Sequence, residues 1–153
     1  MNLEIREATD EDLPQVLTLY AQLGMDDGNV LDLVEAQEIY AQFARYPDYR
    51  LFVVCDSHGS QEILGVYALL VMHNLAHRGA PSAIVEDVVV AAEYRGKGIG
   101  RRMMEHAAAQ ARAAGCYKLV LSSNRHRERA HAFYESLGFE RHGYSFVIDP
   151  HAL

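Results

Sequence analysis

Ile84-Val85-Glu86-Asp87-Val88-Val89-Val90-Ala91-Ala92-Glu93-Tyr94-Arg95-Gly96-Lys97-Gly98-Ile99-Gly100 is the stretch on which the fold turns. Its first half is rich in β-branched residues and long enough for a central strand, and its second half sets three glycines before a helical pattern. Ile99, Met103, Met104, Ala107, Ala108 and Ala111 recur at the spacing of one helical face, and Gly115 stands where such a helix ends. Strand, glycine loop and helix are therefore predicted in direct succession.

Working outward, residues 3–8 alternate as a strand, and Thr9 or Asp10 is placed to cap a helix carrying Leu13, Val16, Leu17 and Tyr20. An acidic helix is expected over about 30–45. The apolar runs 51–56 and 63–72, joined by Ser57-His58-Gly59-Ser60, read as an antiparallel hairpin. After the central helix come a strand at 118–122, a helix over 128–137 closed by Gly138, and a last strand near 139–148. The order β-α-α-β-β-β-α-β-α-β is that of an α/β (α+β) fold. Without a linker or repeat, residues 1–153 read as a single domain.

The composition is that of an ordinary globular chain, half apolar and 23% charged. No apolar run approaches the ~20 residues that span a bilayer, and the acidic start is unlike a signal peptide, so a cytoplasmic protein without a membrane partner is expected. Cys55 and Cys116 have no metal-ligand spacing and read as buried packing thiols. The net charge of −7 is unevenly spread: residues 1–40 carry −9 and residues 93–129 carry +6. A basic segment of that kind attracts a phosphorylated ligand, whereas the acidic whole argues against nucleic acid. Arg101, Arg102 and Arg112 read equally well as the solvated face of a helix.

The glycine loop presents free N–H groups at a helix N-terminus, which makes an anion site. Two phosphate loops fail on residues. The dinucleotide fingerprint needs a glycine where Arg101 stands, and the Walker loop needs Ser or Thr where Gly98 follows Gly96-Lys97. Arg95, Gly98 and Gly100 instead form Arg-x-x-Gly-x-Gly.

On that motif the chain resembles the GNAT superfamily of acetyl-CoA-dependent N-acetyltransferases. The likeness extends through Val88-Val89-Val90, the following helix, Leu121-Ser122-Ser123-Asn124, and 130–139 with its Phe133-Tyr134 pair. It implies a mixed central sheet flanked by helices on both faces. It also implies coenzyme A held by Arg95, Gly96, Lys97, Gly98, Ile99 and Gly100, by the backbone of Val88, Val89 and Val90, and by Asn124, for which a turn-forming role is the alternative. The segments 122–124, 130–134 and 138–139 are similar to the aminoalkylphosphonate N-acetyltransferase branch, which implies a small primary amine as acceptor. An aminoglycoside or peptide acetyltransferase and a non-catalytic acyl-CoA sensor share the same core.

Acyl transfer to an amine needs a base, an oxyanion donor and an acid for the departing sulfur. Alternation puts Glu86 on one strand face with Val88 and Val90, and its position resembles that of the family's general base; Asp87 falls on the opposite face. The two exchange roles if the register slips by one. Tyr134 stands where the family has a tyrosine beside the sulfur, and its neighbour Phe133 points to another helix face. The family's oxyanion donor is a backbone N–H near Val88. The family closes its acceptor pocket around residues 23–29, where Asp26, Asp27, Asp32, Glu35 and Glu38 read either as attracting a cationic amine or as solvated helix residues. His73 with His77 and His126 with His131 lack a further ligand, so no metal is expected. Pairing of the C-terminal strand across a two-fold would give a homodimer.

Overall fold

The computed structural model describes residues 1–59 and 61–152; Ser60 of the expected hairpin turn and Leu153 lie outside it. The chain divides into two compact units, residues 1–120 and 121–153. In chain order, the elements that carry the argument are β1 (Leu3–Glu7), α1 (Leu13–Ala21), α2 (Leu33–Phe43), β2 (Tyr49–Asp56), β3 (Ile63–Met72), β4 (Ser82–Val90), α3 (Ile99–Ala113), β5 (Lys118–Leu121) and α4 (Glu128–Ser136).

The strands form one mixed sheet in the order β1-β2-β3-β4-β5, and β1 through β4 are successively antiparallel. β3 is buried along nearly its whole length, as its unbroken apolar run requires. Leu13, Val16 and Leu19 of α1 and Ala36 of α2 pack on one sheet face against Leu51, Val53, Val66, Ala68 and Val89. The amphipathic α3 covers the other face with Ile99, Met103, Met104, Ala107 and Ala111, all buried. Ala108, expected on that stripe, is exposed, and the half-buried His106 and Gln110 flank the stripe instead.

Entry into α1 is fixed by charge. Thr9 closes a capping box with Asp12, and the Asp12 carboxylate accepts two hydrogen bonds from the Arg6 guanidinium at 2.7 and 2.9 Å. Those hydrogen bonds hold the Asp12 pKa below the usual carboxylate range despite its burial.

The approach of α3 to β3 depends on Gly65. A Cβ there would lie 2.9 Å from Met103 Sδ and 3.2 Å from the Val89 carbonyl oxygen. The methionine can move aside, but the backbone carbonyl cannot without disturbing β4. Gly65→Ala is expected to lower unfolding free energy by about 1–3 kcal/mol. Urea unfolding followed by circular dichroism checks this, and an unchanged midpoint would show that the interface relaxes.

Two expectations are corrected. Residues 139–148 form no strand: Tyr144, Phe146 and Val147 are 92%, 93% and 99% exposed, and β-propensity without a ladder partner does not make a strand. Cys116 is half-buried rather than buried, because it precedes β5 in the turn after α3; only Cys55 is a core thiol.

Candidate active site

Two consecutive carboxylates interrupt β4. Against β3, Val89 pairs with Val66 and Glu86 with Ala68, so Asp87 and Val88 together stand opposite Tyr67. That is a bulge of one extra residue, and Asp87 takes it up with φ +52, a left-handed conformation uncommon for any residue with a side chain. An inserted residue reverses the phase of alternation. Glu86 and Val89 therefore both lie on the α1/α2 side with their partners Ala68 and Val66, while Val88 and Val90 turn towards α3. The alternation that grouped Glu86 with Val88 and Val90 holds only up to the bulge.

Asp87 opens on the same side as Glu86. It lines a cavity of about 450 Å³ bounded by α1, the 25–32 segment and α2. Partial burial first, and then the Asp87 charge, raise the Glu86 pKa above the ordinary glutamate value. Burial also raises the phenol pKa of Tyr20, a residue of the cavity wall, and Asp87 adds to the shift.

On the other sheet face, Tyr67 opposite the bulge belongs to a polar and aromatic cluster that the sequence reading missed. The fully buried Tyr67 has its hydroxyl 2.6 Å from Nδ1 of His106 on α3. Phe52 stacks on Tyr67 at 5.3 Å, and Arg50 donates to Gln110 Oε1 at 2.9 Å. Burial and the Arg50 charge push the His106 pKa down, so the imidazole stays neutral and keeps one acceptor nitrogen. The available signal was a phenol in an apolar run and a histidine beside an apolar helical stripe.

Beyond β4 the chain makes a tight turn and enters α3 through Gly96 and Gly98, at φ +76 and +81. A Cβ at either would meet no atom within 4 Å, so the backbone conformation demands glycine and the space above the loop is open. No side chain caps α3, which leaves its first-turn N–H groups available. Ile99 buries its side chain completely and can offer a ligand only its backbone. Arg95 is exposed, and Lys97 lies 4.8 Å from the Tyr94 ring centroid. Open αL glycines, uncapped amides and adjacent cations suit a diphosphate.

In the second unit, Tyr134 lies between Phe133 and Phe139 at ring-centroid distances of 5.1 and 5.6 Å, and both Phe133 and Tyr134 are half-buried. Burial raises its phenol pKa, a shift that Arg127 partly offsets. Asn124 spends its Oδ1 on the His126 N–H at 2.9 Å, the turn-forming alternative for this residue. Ser123 Oγ beside it is buried and has no hydrogen-bond partner among the described residues. His77 stacks on Tyr117 at 4.2 Å, and His131 Nε2 is 2.8 Å from the Asn124 carbonyl oxygen. Among the described residues no three His, Cys, Asp or Glu side chains converge for a metal, and no helix is long and apolar enough to cross a membrane.

The sequence profile of the Acetyltransferase (GNAT) family matches residues 11–139, a span that contains β4, the glycine loop and α3. The chain belongs to the GNAT acetyltransferase family. As a member it is an N-acetyltransferase. This GNAT chain is 29% identical to a glucosamine 6-phosphate N-acetyltransferase of Trypanosoma brucei brucei, over 97% of each chain. It is 30% identical to an aminoalkylphosphonate N-acetyltransferase of Salmonella typhimurium, over 94% of this chain and 89% of that one. A solved structure described as a putative acetyltransferase from Agrobacterium tumefaciens superposes with a TM-score of 0.85 at 36% identity, covering 95% of this chain and 99% of the other. The fold class and the family read from the Arg95–Gly100 motif agree with these matches.

Proposed function

We propose that this chain, acting as one domain over residues 1–153, transfers the acetyl group of acetyl-CoA to the primary amine of a small molecule by direct attack in a ternary complex. One observation carries the reading above the others: the β4 bulge sets Asp87 in the wall of a cavity with Glu86 beside it on the same sheet face, and the chain runs on from β4 through 91–97 into the uncapped N-terminus of α3. The relatives named above act, by their names, on a sugar phosphate and on aminoalkylphosphonates; a primary amine is common to both acceptors.

Acetyl-CoA supplies an acetyl thioester activated towards amines. The backbone N–H groups of Gly96, Gly98, Ile99 and Gly100, with the charges of Arg95 and Lys97, hold diphosphate. Val88, Val89 and Val90 offer their backbone edge to the pantetheine chain, and Asn124 with the Ser123 hydroxyl, unpaired among the described residues, offers polar contacts. An amine of pKa ~10.4 is almost wholly protonated at neutral pH. Glu86 removes that proton, directly or through a water, and Tyr134 returns one to the departing sulfur. The interrupted ladder near Val88 supplies an N–H for the developing oxyanion. No protein nucleophile is needed: burial and Asp48 push the Cys116 thiol up, the reverse of an activated thiolate.

The reading includes a cytoplasmic homodimer. Free Cys55 and Cys116 suit a reducing compartment, and pairing of residues 139–148 with a second copy would cover the exposed Tyr144, Phe146 and Val147. The test combines a coenzyme A thermal shift, thiol release from acetyl-CoA with primary amines and with their tertiary counterparts, and light scattering. Coenzyme A should raise Tm, only primary amines should turn over, and the mass should be twice that of the chain. Intact mass spectrometry should find no acetylated protein after acetyl-CoA alone; an acetyl adduct that a primary amine then discharges would replace direct attack with a two-step route.

A further inference from the structure

The acceptor cavity has a chemistry of its own. Its lining combines apolar side chains with four carboxylates, Asp26, Asp32, Glu35 and Asp87, and among the described residues includes no lysine, arginine or histidine. Asp32 is committed to the N-terminus of α2, where it accepts from the Glu35 N–H at 2.9 Å. A side-chain hydrogen bond with Asp32, and then the Asp32 charge, raise the Glu35 pKa. Cations are concentrated instead in residues 93–129, which include the glycine loop.

Part of the apolar lining is open to solvent. Met25, Val30 and Ile39 face the cavity and remain 54%, 45% and 49% exposed, above a floor that includes the buried Leu13 and Val16. Side chains of this kind gain by covering hydrocarbon. The volume, about 450 Å³, falls in the range of small-molecule sites.

From this cavity we infer that the acceptor is a hydrocarbon-bodied primary amine, alkyl or aryl, that carries no phosphate, phosphonate or carboxylate. Its ammonium end meets Asp87 and Glu86 at the bulge, and its hydrocarbon body lies against Leu17, Val30, Ile39 and Phe43. A phosphate in the same space would face carboxylates, with no cation among the described lining residues to offset it, and like charges brought together across a binding surface oppose binding. The inference rests on the acetyl-transfer reading and adds the acceptor class to it.

The test is kcat/KM for n-alkylamines from propylamine to hexylamine and for 2-phenylethylamine, beside 2-aminoethylphosphonate and glucosamine 6-phosphate, with a coenzyme A thermal shift on the same protein. Burying a methylene is worth ≈ 0.8 kcal/mol, so kcat/KM should climb about fourfold per added carbon until the cavity is full. Ile39→Lys, on the exposed rim, should lower hexylamine turnover by about tenfold or more, narrow the gap to the phosphorylated amines, and leave the coenzyme A shift unchanged. A flat alkyl series, or a preference for the phosphorylated amines, overturns the acceptor assignment while acetyl transfer stands. Failure of every amine to turn over, with the coenzyme A shift present, overturns the transfer reading and this inference with it.

Discussion

Glu86→Gln is expected to lower kcat for amine acetylation by about 10²–10⁴-fold at neutral pH. The substitution keeps the shape and the hydrogen-bonding reach of the side chain, and Glu86 remains paired with Ala68, so the bulge should persist. What disappears is the capacity to take a proton. The deficit should narrow as pH approaches the amine's own pKa, because a neutral amine then exists without help. Asp87→Asn separates the two carboxylates. Part of the upward shift at Glu86 comes from the Asp87 charge, so removing that charge should lower the Glu86 pKa and move the acid limb of the kcat profile to lower pH. The sign follows from the required form: the base works deprotonated, and a lower pKa keeps it deprotonated further into acid. Stopped-time thiol assays from pH 5 to 10 on both variants measure this. A Gln variant with the native rate at every pH would remove Glu86 from the chemistry, and an Asn variant with an unmoved acid limb would assign that limb to another group.

The elements that repeat were legible in the sequence, and the element that breaks a repeat was not. β3 and α3 each carry a long run of one period, and each formed within a few residues of its expected bounds. β4 carries two polar residues in succession, Glu86 and Asp87, and strict alternation allows only one of them on a face. Read as alternation, the pair separates across the sheet; read as a signature of an inserted residue, it marks the bulge that brings both to one side. The glycine loop was legible because its demand is local: Gly96 and Gly98 take left-handed backbone wherever the rest of the chain goes. The cavity was not, since its walls come from α1, α2 and a loop whose meeting depends on tertiary packing. Residues 139–148 show the limit from the other side. Strand propensity there is high, but a strand exists only where a neighbouring strand supplies hydrogen bonds, and no residue type specifies that neighbour.

Tyr134→Phe removes one oxygen and little else, which makes it the cleanest probe of the departing sulfur. The ring stays between Phe133 and Phe139, so α4 and its turn into Phe139 should be undisturbed, and the Phe139 N–H should still reach the Tyr134 carbonyl oxygen at 3.1 Å. Loss of the proton donor is expected to cut kcat by about 10²–10⁴-fold while KM for acetyl-CoA holds. A purely packing role predicts the reverse, a change in Tm with turnover intact. The pH profile gives a second, independent reading. Burial holds the Tyr134 pKa above the ordinary tyrosine value, so the phenol remains protonated well past neutrality and any basic limb due to it lies beyond pH ~10. That limb should vanish in the Phe variant. Replacing acetyl-CoA with an acetyl thioester of a more acidic thiol should restore part of the lost rate, because a better leaving group needs the donated proton less. Full turnover in the Phe variant, or no rescue by the acidic thiol, would move the general-acid role away from Tyr134.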